Sequence, residues 1–395
     1  MASQDVYHQS ISVPFEYPVH FTHNLLAEGN ELLVETLDRL GEHRQHRAIV
    51  YVDGGLASAQ PQLIEQIKEY FHSHPRRLEL TAPPVLLPGG EQAKTGWNTV
   101  RDIMWTLGNV HLDRQSFVVA FGGGAVLDMV GFATSLVHRG LRLVRVPSTT
   151  LAQDDAGVGV KNGMDEHGQK NFVGTFAPPF AVLNDLELLR TLSDRDWIGG
   201  VAEAFKVAII KDAALFKDLT EMAPALRSRN QEAMENCVRR TAILHLEHIR
   251  LNGDPFEFGS ARPLDFGHWA GHRLETLSEY SLGHGQSVSI GIALDSYYAM
   301  RQGLLSQQEF ERILAALKSC GLPIWSDLLT KRTTDGTLEI LAGLREFREH
   351  LGGALNVTLP DGIGGKVEVH EMNPLLVQEA IEHLGDLAGK SGAGQ

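Results

Sequence analysis

The chain has 395 residues, a mass of 43.4 kDa and a net charge of -14, because 49 acidic residues outnumber 35 lysines and arginines. This acidic balance argues against nucleic acid and anionic membranes as partners, since both require a basic face, but it permits a small anionic substrate. Two cysteines exclude a disulfide framework and a cysteine-built zinc site, and the N-terminal residues lack a signal-peptide pattern, so we expect a cytoplasmic protein.

Short β-branched runs alternate with helical patterns in the first half of the chain. A helical pattern follows each of the first three runs, and the third of these patterns comes after Gly122–Gly124. This alternation predicts an α/β unit with a mostly parallel sheet, because parallel strands need helical crossovers. The predicted strands cover residues 47–52, 83–88, 116–121 and 142–147, and the predicted helices cover 61–72, a segment through 97–103, and 125–137.

Helical patterns dominate the second half of the chain. We therefore predict an α/β plus α fold, with a domain over residues 1–189 and a mainly helical domain over 190–395. One late strand is expected within residues 354–360. The predicted helices cover 201–211, 213–222, 231–248, 263–278, 287–302 and 307–320.

A glycine-rich turn, Gly122–Gly124, follows the clearest buried strand. Bare backbone at a helix N-terminus can bind a pyrophosphate, although a tight turn for close packing is an equally good interpretation. Asp53, Glu91 and the segment 148–150 also follow predicted strands. Because carboxyl ends of parallel strands share one edge, these residues favour a nucleotide site there. The turn departs from the GxGxxG fingerprint, since Leu127 occupies its third glycine position.

Two histidines, His268 and His272, are spaced to project from one helical face. His284 lies before the next helix, and Glu203 is a candidate carboxylate ligand. Two histidines with one carboxylate are a usual ligand set for a catalytic metal with an open position. Histidines that serve only packing or solvation explain the same residues about equally well, because the sequence alone does not bring these segments together.

Basic residues accompany these candidates: Arg139, Lys161, Lys170 and Lys206, with Asn171 beside Lys170. Cations gathered near a metal suit a phosphorylated substrate. Solvated lysines are the alternative interpretation, and Arg139 also lies where it can compensate a helix dipole.

Taken together, the motifs resemble those of the sugar-phosphate cyclases, whose best-known member is 3-dehydroquinate synthase. The resemblance spans about residues 53–358 and rests on GGGAVLDMVGF, HRGLRLVRVPSTTLAQDD, GVKNG, KNFVGTF, GGVAEAFK, DFGHWAGH and HGQSVSIG. It implies an N-terminal NAD-binding α/β domain and a C-terminal helical metal-binding domain. It also implies a carbon-oxygen lyase that combines oxidation, phosphate β-elimination, reduction and aldol cyclisation to convert a phosphorylated keto-sugar into a carbocycle. Family members are commonly dimers, so a homodimer is compatible with the resemblance.

The resemblance assigns roles residue by residue. Zn²⁺, or Co²⁺ in its place, would be held by Glu203, His268 and His284. The implied NAD contacts are Asp53, Glu91, Lys94, Gly124, Asp128, Ser148, Thr149, Lys161, Lys170, Thr191 and Leu192. The implied catalytic and substrate residues are Arg139, Asp155, Lys161, Asn171, Lys206, Asp265 and His272.

Departures from the 3-dehydroquinate synthase pattern fall on the substrate side. Asp265 replaces an asparagine, and Ala261 stands where the family has an arginine. The family pattern also has a lysine before the metal-binding motif, and that position falls near Glu247 or His248 in this chain. The C-terminal lysine motif of the family is absent, and Arg345 and Arg348 are candidate substitutes for it. These basic groups would hold the substrate carboxylate and phosphate, so their loss leaves the substrate open. The segment around Ala261 resembles a divergent branch such as that of ebo-type biosynthetic clusters.

Three functions remain open besides 3-dehydroquinate synthesis. A related cyclase similar to 2-epi-5-epi-valiolone synthase would use a heptulose 7-phosphate. A metal-dependent alcohol or glycerol dehydrogenase is disfavoured because Asp128 is followed by Met-Val-Gly rather than by the DxAK continuation of that family. A non-catalytic metabolite-binding protein is disfavoured because all three candidate ligands and Lys206 are present.

Overall fold

The structure is a computed structural model, and it describes residues 6–167, 169–251, 256, 264–350 and 355–392. Within these residues, seven parallel strands form the main sheet, in the order β1-β9-β6-β5-β2-β3, with β4 paired to β2. The four predicted strands of the first half are confirmed, and β1, β3 and β9 join them. The strands are β1 Val19–Thr22, β2 His46–Asp53, β3 Leu78–Leu80, β4 Val85–Leu87, β5 Phe117–Gly122, β6 Arg142–Pro147 and β9 Ala181–Asp185.

Helices cover both faces of this sheet. Central strand β5 is buried along its whole length, as expected for a parallel strand with helices on each side. The side chains of β5 alternate between two hydrophobic clusters, with Val119 in one and Val118 in the other. The helices of this half are α1 Leu32–Leu37, α2 Gly54–Ala59, α3 Leu63–Ser73, α4 Trp97–Asn109 and α5 Gly124–Leu136.

An antiparallel hairpin that we did not predict leaves the main sheet. It consists of β7 Lys161–Glu166 and β8 Gln169–Phe176. The buried guanidinium of Arg145, on β6, donates to the backbone oxygens of Gly157, Gly159 and Lys161. This arginine therefore ties the loop after β6 to the start of the hairpin.

The second half is mainly helical, as predicted, and the late strand is part of a small hairpin. The helices are α6 Asp194–Gly199, α7 Val201–Lys211, α8 Ala213–Arg227, α9 Gln231–Leu251, α10 His268–Leu277, α11 His284–Arg301, α12 Gln307–Cys320, α13 Ala342–His350 and α14 Pro374–Gly392. The hairpin is β10 Val357–Pro360 with β11 Lys366–Val369. None of the helices formed by described residues is long and apolar enough to cross a membrane.

Helices α10 and α11 pack backbone against backbone through glycines. A Cβ added to Gly291 would lie 1.9 Å from the carbonyl oxygen of Gly267, and one added to Gly271 would lie 3.3 Å from the Cα of Val288. Gly285 makes a similar contact with Gly199, which ends α6. These contacts leave no room for side chains, so they set the spacing of the helices that begin with His268 and His284.

We expect Gly291→Ala to lower the apparent Tm of the protein. Alanine normally stabilises a helix by about 1 kcal/mol relative to glycine, but overpacking typically costs about 1–3 kcal/mol and here meets fixed backbone. Gly108→Ala is the matched control, since nothing lies within 4 Å of that added Cβ on α4. Thermal unfolding followed by circular dichroism should show opposite shifts. Equal shifts upward would contradict the close approach.

Candidate metal centre and cofactor edge

Three side chains from α7, α10 and α11 converge in the helical half. The Nε2 atom of His284 lies 3.2 Å from Oε1 of Glu203, and the Nε2 atom of His268 lies 3.6 Å from the same oxygen. All three candidate ligand atoms are within 4.8 Å of one another. Tertiary packing therefore brings together the three residues that the resemblance named as metal ligands.

The charge of Glu203 is held in place by its neighbours. Burial opposes ionisation of this fully buried carboxyl, but Lys206, His268 and the hydrogen bond with His284 outweigh it and lower the pKa to about 2. The Lys206 ammonium, also buried, contacts the Glu203 carboxylate. A buried charge is costly unless it is paired, so the neighbours keep this carboxylate ready as a ligand.

These donors fit a divalent cation. Bond lengths of about 2.0–2.1 Å to nitrogen and oxygen at tetrahedral angles place neighbouring ligand atoms about 3.3 Å apart. The separations of 3.2 and 3.6 Å from Glu203 to the two imidazoles bracket that value. One carboxylate and two imidazoles leave a position open for a substrate oxygen, as in catalytic sites.

Glu275, which we did not identify from the sequence, supports this centre. Its Oε2 lies 3.0 Å from Nδ1 of His284, and its Oε1 accepts a hydrogen bond from Lys170 at 2.8 Å. A carboxylate on the far nitrogen fixes the tautomer and orientation of a ligand histidine. Burial disfavours the imidazolium, but Glu275 and Glu203 raise the pKa of His284 to about 9. The spacing of Glu275 from His272 and His268 on one helical face was the available signal.

Other predicted substrate residues surround the centre. Asp155 Oδ1 lies 2.8 Å from Nδ1 of His245 on α9, a histidine that we did not select. The negative charges of Asp155 and Asp265 both favour the protonated form of Lys206. The ring of His272 lies 5.2 Å from that of His268, and burial together with the charge of His268 holds the pKa of His272 well below its usual range. The neutral ring of His272 can accept a proton or donate a hydrogen bond.

Several residues predicted to bind the nucleotide lie together at the carboxyl ends of the strands. Asp53 ends β2 and accepts a hydrogen bond from the Gly55 N–H, and a Cβ on Gly89 would lie 2.4 Å from its Oδ1. A Cβ on Gly123 would lie 3.2 Å from Thr149 Cγ2. Among the described residues, no side chain caps the N-terminus of α5 at Gly123, which leaves its first N–H groups for an anion. This confirms that these strand ends meet at one edge.

A second group of predicted cofactor residues packs against the first turn of α5, which begins at Gly124. Lys94 Nζ donates to Asp128 Oδ2 at 2.8 Å and to Asn171 Oδ1 at 2.5 Å. Lys170 lies 3.2 Å from Glu91. The group therefore connects the turn after β4 with α5 and the hairpin strand β8.

The remaining candidates lie at other places. Thr191 and Leu192 follow β9, and Thr191 accepts a hydrogen bond from Gln60 at the end of α2. Ser148 follows β6 and donates its backbone N–H to Gly122. Lys161 begins β7. Arg139 is exposed at the far end of α5, which lies about 20 Å from Gly124 because a helix rises 1.5 Å per residue. Arg139 therefore lies about one helix length from the glycine turn that precedes α5.

Three of the departures can be located. The side chain of Glu247 is 42% exposed and pairs with Arg250, so it points away from the centre. Arg345 and Arg348 are exposed on α13. Ala261 lies outside the described residues. The α9 residue that meets Asp155 is His245, two positions before Glu247.

Comparisons with known proteins identify matching families. The family model for the 3-dehydroquinate synthase N-terminal region matches residues 84–199, and the C-terminal model matches residues 200–343. A 3-dehydroquinate synthase of Paracoccus denitrificans is 33% identical over 308 residues, which cover 76% of this chain and 82% of that protein. A 2-epi-valiolone synthase of Actinosynnema mirum is 34% identical over 298 residues, covering 75% and 76%.

One solved structure is similar over almost its whole length. It is a 2-epi-5-epi-valiolone synthase from Streptomyces hygroscopicus with NAD⁺ and Zn²⁺ bound. The TM-score is 0.84 at 29% identity, and the match covers 96% of this chain and 99% of that one. An iron-containing alcohol dehydrogenase of Thermotoga maritima, with a TM-score of 0.59 at 14% identity, shares the fold alone.

We expect Glu275→Gln to weaken metal binding about 10- to 100-fold, the usual effect of losing the partner of a ligand histidine. The amide removes the charge that orients His284 and pairs with Lys170. Titration of metal-free protein with Zn²⁺ against a chromophoric chelator measures this without any turnover. Glu382→Gln, at an exposed position on α14, is the control. Equal affinities in wild type and Glu275→Gln would refute the role, provided that both proteins keep the same Tm.

Proposed function

The chain belongs to the 3-dehydroquinate synthase family of NAD- and metal-dependent sugar-phosphate cyclases, and we propose that it cyclises a seven-carbon keto-sugar 7-phosphate. The observation that carries this proposal is the buried set of Glu203, His268 and His284 beside Lys206. Such a set is suited to a substrate that presents an alcohol to a metal and an anionic group to a lysine. The enzyme is thus a carbon-oxygen lyase that releases inorganic phosphate.

The three metal ligands in the proposal are Glu203, His268 and His284, with Zn²⁺ or Co²⁺ as the ion. A bound ion of this kind stabilises negative charge on an alcohol oxygen. The similar valiolone synthase holds Zn²⁺, and a 2-deoxy-scyllo-inosose synthase of the same fold holds Co²⁺. Glu275 orients His284 for this task, and Lys206 balances the charge of Glu203.

The cofactor in the proposal lies along the strand ends. NAD⁺ supplies a hydride acceptor and, once reduced, a hydride donor, so it is regenerated in each turnover. Asp53 would bind ribose hydroxyls, and the bare turn before α5 with the segment 148–149 would bind the pyrophosphate. The other cofactor residues that we propose are Glu91, Lys94, Gly124, Asp128, Lys161, Lys170, Thr191 and Leu192.

The substrate residues in the proposal are side chains near the open metal position, together with Lys161 and Asn171 of the β7–β8 hairpin. Lys206 and Lys161 would bind anionic oxygens, and Asp155, Asn171 and Asp265 would bind hydroxyls or orient these lysines. The neutral imidazole of His272 would accept a proton or donate a hydrogen bond at the reacting ring. These assignments are supported by the proximity of Asp155, Asp265 and His272 to the metal ligands.

We propose that Arg139 binds an anionic group of the substrate that a second copy of the chain holds. Its exposed position at the far end of α5 supports a role across an interface between two copies. A homodimer is therefore part of the proposal. We also propose the domain division at residues 189 and 190, which is supported by the change from β9 to the helices that begin with α6.

Two substrates remain as candidates. The curated relatives include 3-dehydroquinate synthases, which favours a heptulosonate 7-phosphate with its carboxylate. The match to a 2-epi-5-epi-valiolone synthase and the acidic Asp265 favour a heptulose 7-phosphate. The departures at Asp265 and Ala261 also support a divergent branch, similar to that of ebo-type clusters.

Incubation of the protein with NAD⁺, Zn²⁺ and each sugar phosphate should release inorganic phosphate from one of the two. NADH should not accumulate, because the hydride is returned within the cycle. Glu203→Ala should lose bound metal and at least about 100-fold in rate, since a metal stabilises the charge by several kcal/mol. Release from neither substrate by metal-loaded wild type would overturn the proposal. Net NADH from a simple polyol would instead indicate a dehydrogenase.

A further inference from the structure

A cluster of basic side chains lies beside the metal centre, and none of them belongs to the metal, cofactor or substrate residues proposed above. Lys211 is the last residue of α7, His248 lies near the end of α9, and Lys366 begins β11. The Nζ of Lys211 is 3.1 Å from Nδ1 of His248. We refer to Lys211, His248 and Lys366 as the basic cluster.

Burial and the positive charges of the lysines both act on the basic cluster. Burial and the charge of Lys366 lower the pKa of Lys211. Burial and the charges of Lys211, His245, Lys366 and Lys206 lower the pKa of His248 to about 4. The two lysine ammonium groups therefore create a positive potential beside the neutral imidazole of His248, and an oxyanion bound there would relieve it.

Part of this charge has local compensation. Lys366 lies 3.1 Å from Glu368, and Lys211 and His248 both lie near helix C-termini, where the dipole favours cations. The dipole does not explain the position of Lys366, which comes from the hairpin of β10 and β11. Three separate elements thus deliver basic groups to one place.

The basic cluster is continuous with the metal centre. His245 lies one turn before His248 on α9, and it pairs with Asp155 at 2.8 Å. Lys206, which contacts Glu203, lies on the same helix as Lys211. The positive charge of Lys206 contributes to the lowered pKa of His248. A seven-carbon substrate bound at Glu203, His268 and His284 can therefore extend toward the basic cluster.

The basic cluster offers basic side chains in place of those that the family pattern has and this chain lacks. At Glu247 the family pattern leads us to expect a lysine, but this side chain faces outward and pairs with Arg250. The same helix presents His245 and His248 inward instead. We propose that Lys211, His248 and Lys366 form a subsite that binds an oxyanion group, carboxylate or phosphate, of the substrate. This inference rests on the proposed cyclase function.

The test uses Lys211→Met and Lys366→Met in the metal- and NAD-loaded enzyme. For the sugar phosphate that is turned over, each variant should raise KM about 10- to 100-fold, the loss expected for a hydrogen bond between charged groups, with kcat nearly unchanged. Lys366→Arg should restore KM, because it keeps the charge. Lys217→Met, at a 70% exposed lysine on α8 that pairs with Glu221, is the matched control.

Calorimetric titration with inorganic phosphate and with acetate identifies the group that the subsite holds. Weaker phosphate binding in Lys211→Met assigns a phosphate subsite, and weaker acetate binding assigns a carboxylate subsite. Unchanged KM and unchanged binding of both probes, in an enzyme that still releases phosphate, would overturn the subsite and leave the cyclase intact. A further outcome is that wild type turns over neither sugar phosphate and still binds an anion that Lys211→Met does not bind. In that case the subsite stands and the proposed function fails.

Discussion

The backbone contact between α10 and α11 is the constraint on which the candidate site depends. Each helix begins with a histidine, His268 or His284, and each has a glycine where the other comes closest. Because Gly291 meets the carbonyl of Gly267 without any intervening side chain, the helices cannot move apart or slide without opening a void. The separation of the two imidazoles is therefore a consequence of packing, and it holds before any ion binds.

A chain of buried charges joins this contact to the first half of the protein. Glu91 and Glu275 both lie near Lys170, Glu275 meets His284, and His284 meets Glu203. Each of these charges would be costly alone in a buried place, and each is compensated by its neighbours. Since Lys170 comes from the hairpin of the α/β half and Glu275 from α10, the pairing also connects the cofactor edge to the metal centre. We expect groups connected in this way to respond together when one of them is changed.

Much of the site could be predicted from local sequence patterns, and the failures have identifiable causes. Glu203, His268 and His284 were identifiable because their motifs are short and specific. The hairpin of β7 and β8 was missed because its strands carry charged and polar residues, and because the buried Arg145 that anchors them is distant in sequence. Glu247 was a reasonable alignment choice, but helical rotation turns it outward and turns His245 toward Asp155. Glu275 was overlooked because its importance comes from two partners in other elements.

The sequence by itself determined the alternation of strands and helices in the first half, the helical second half, the glycine turn before α5 and the types of residue available for metal, cofactor and substrate. These properties are local, since they follow from periodicity, turn chemistry and short motifs. Only the tertiary structure decided which of the 18 histidines meet Glu203 and which positions of α9 face the centre. It also placed Arg139 at the far end of α5 from Gly124 and gathered Lys211, His248 and Lys366 from three elements. Such relations depend on helix rotation and on contacts between distant segments, and neither can be derived from any single stretch of the chain.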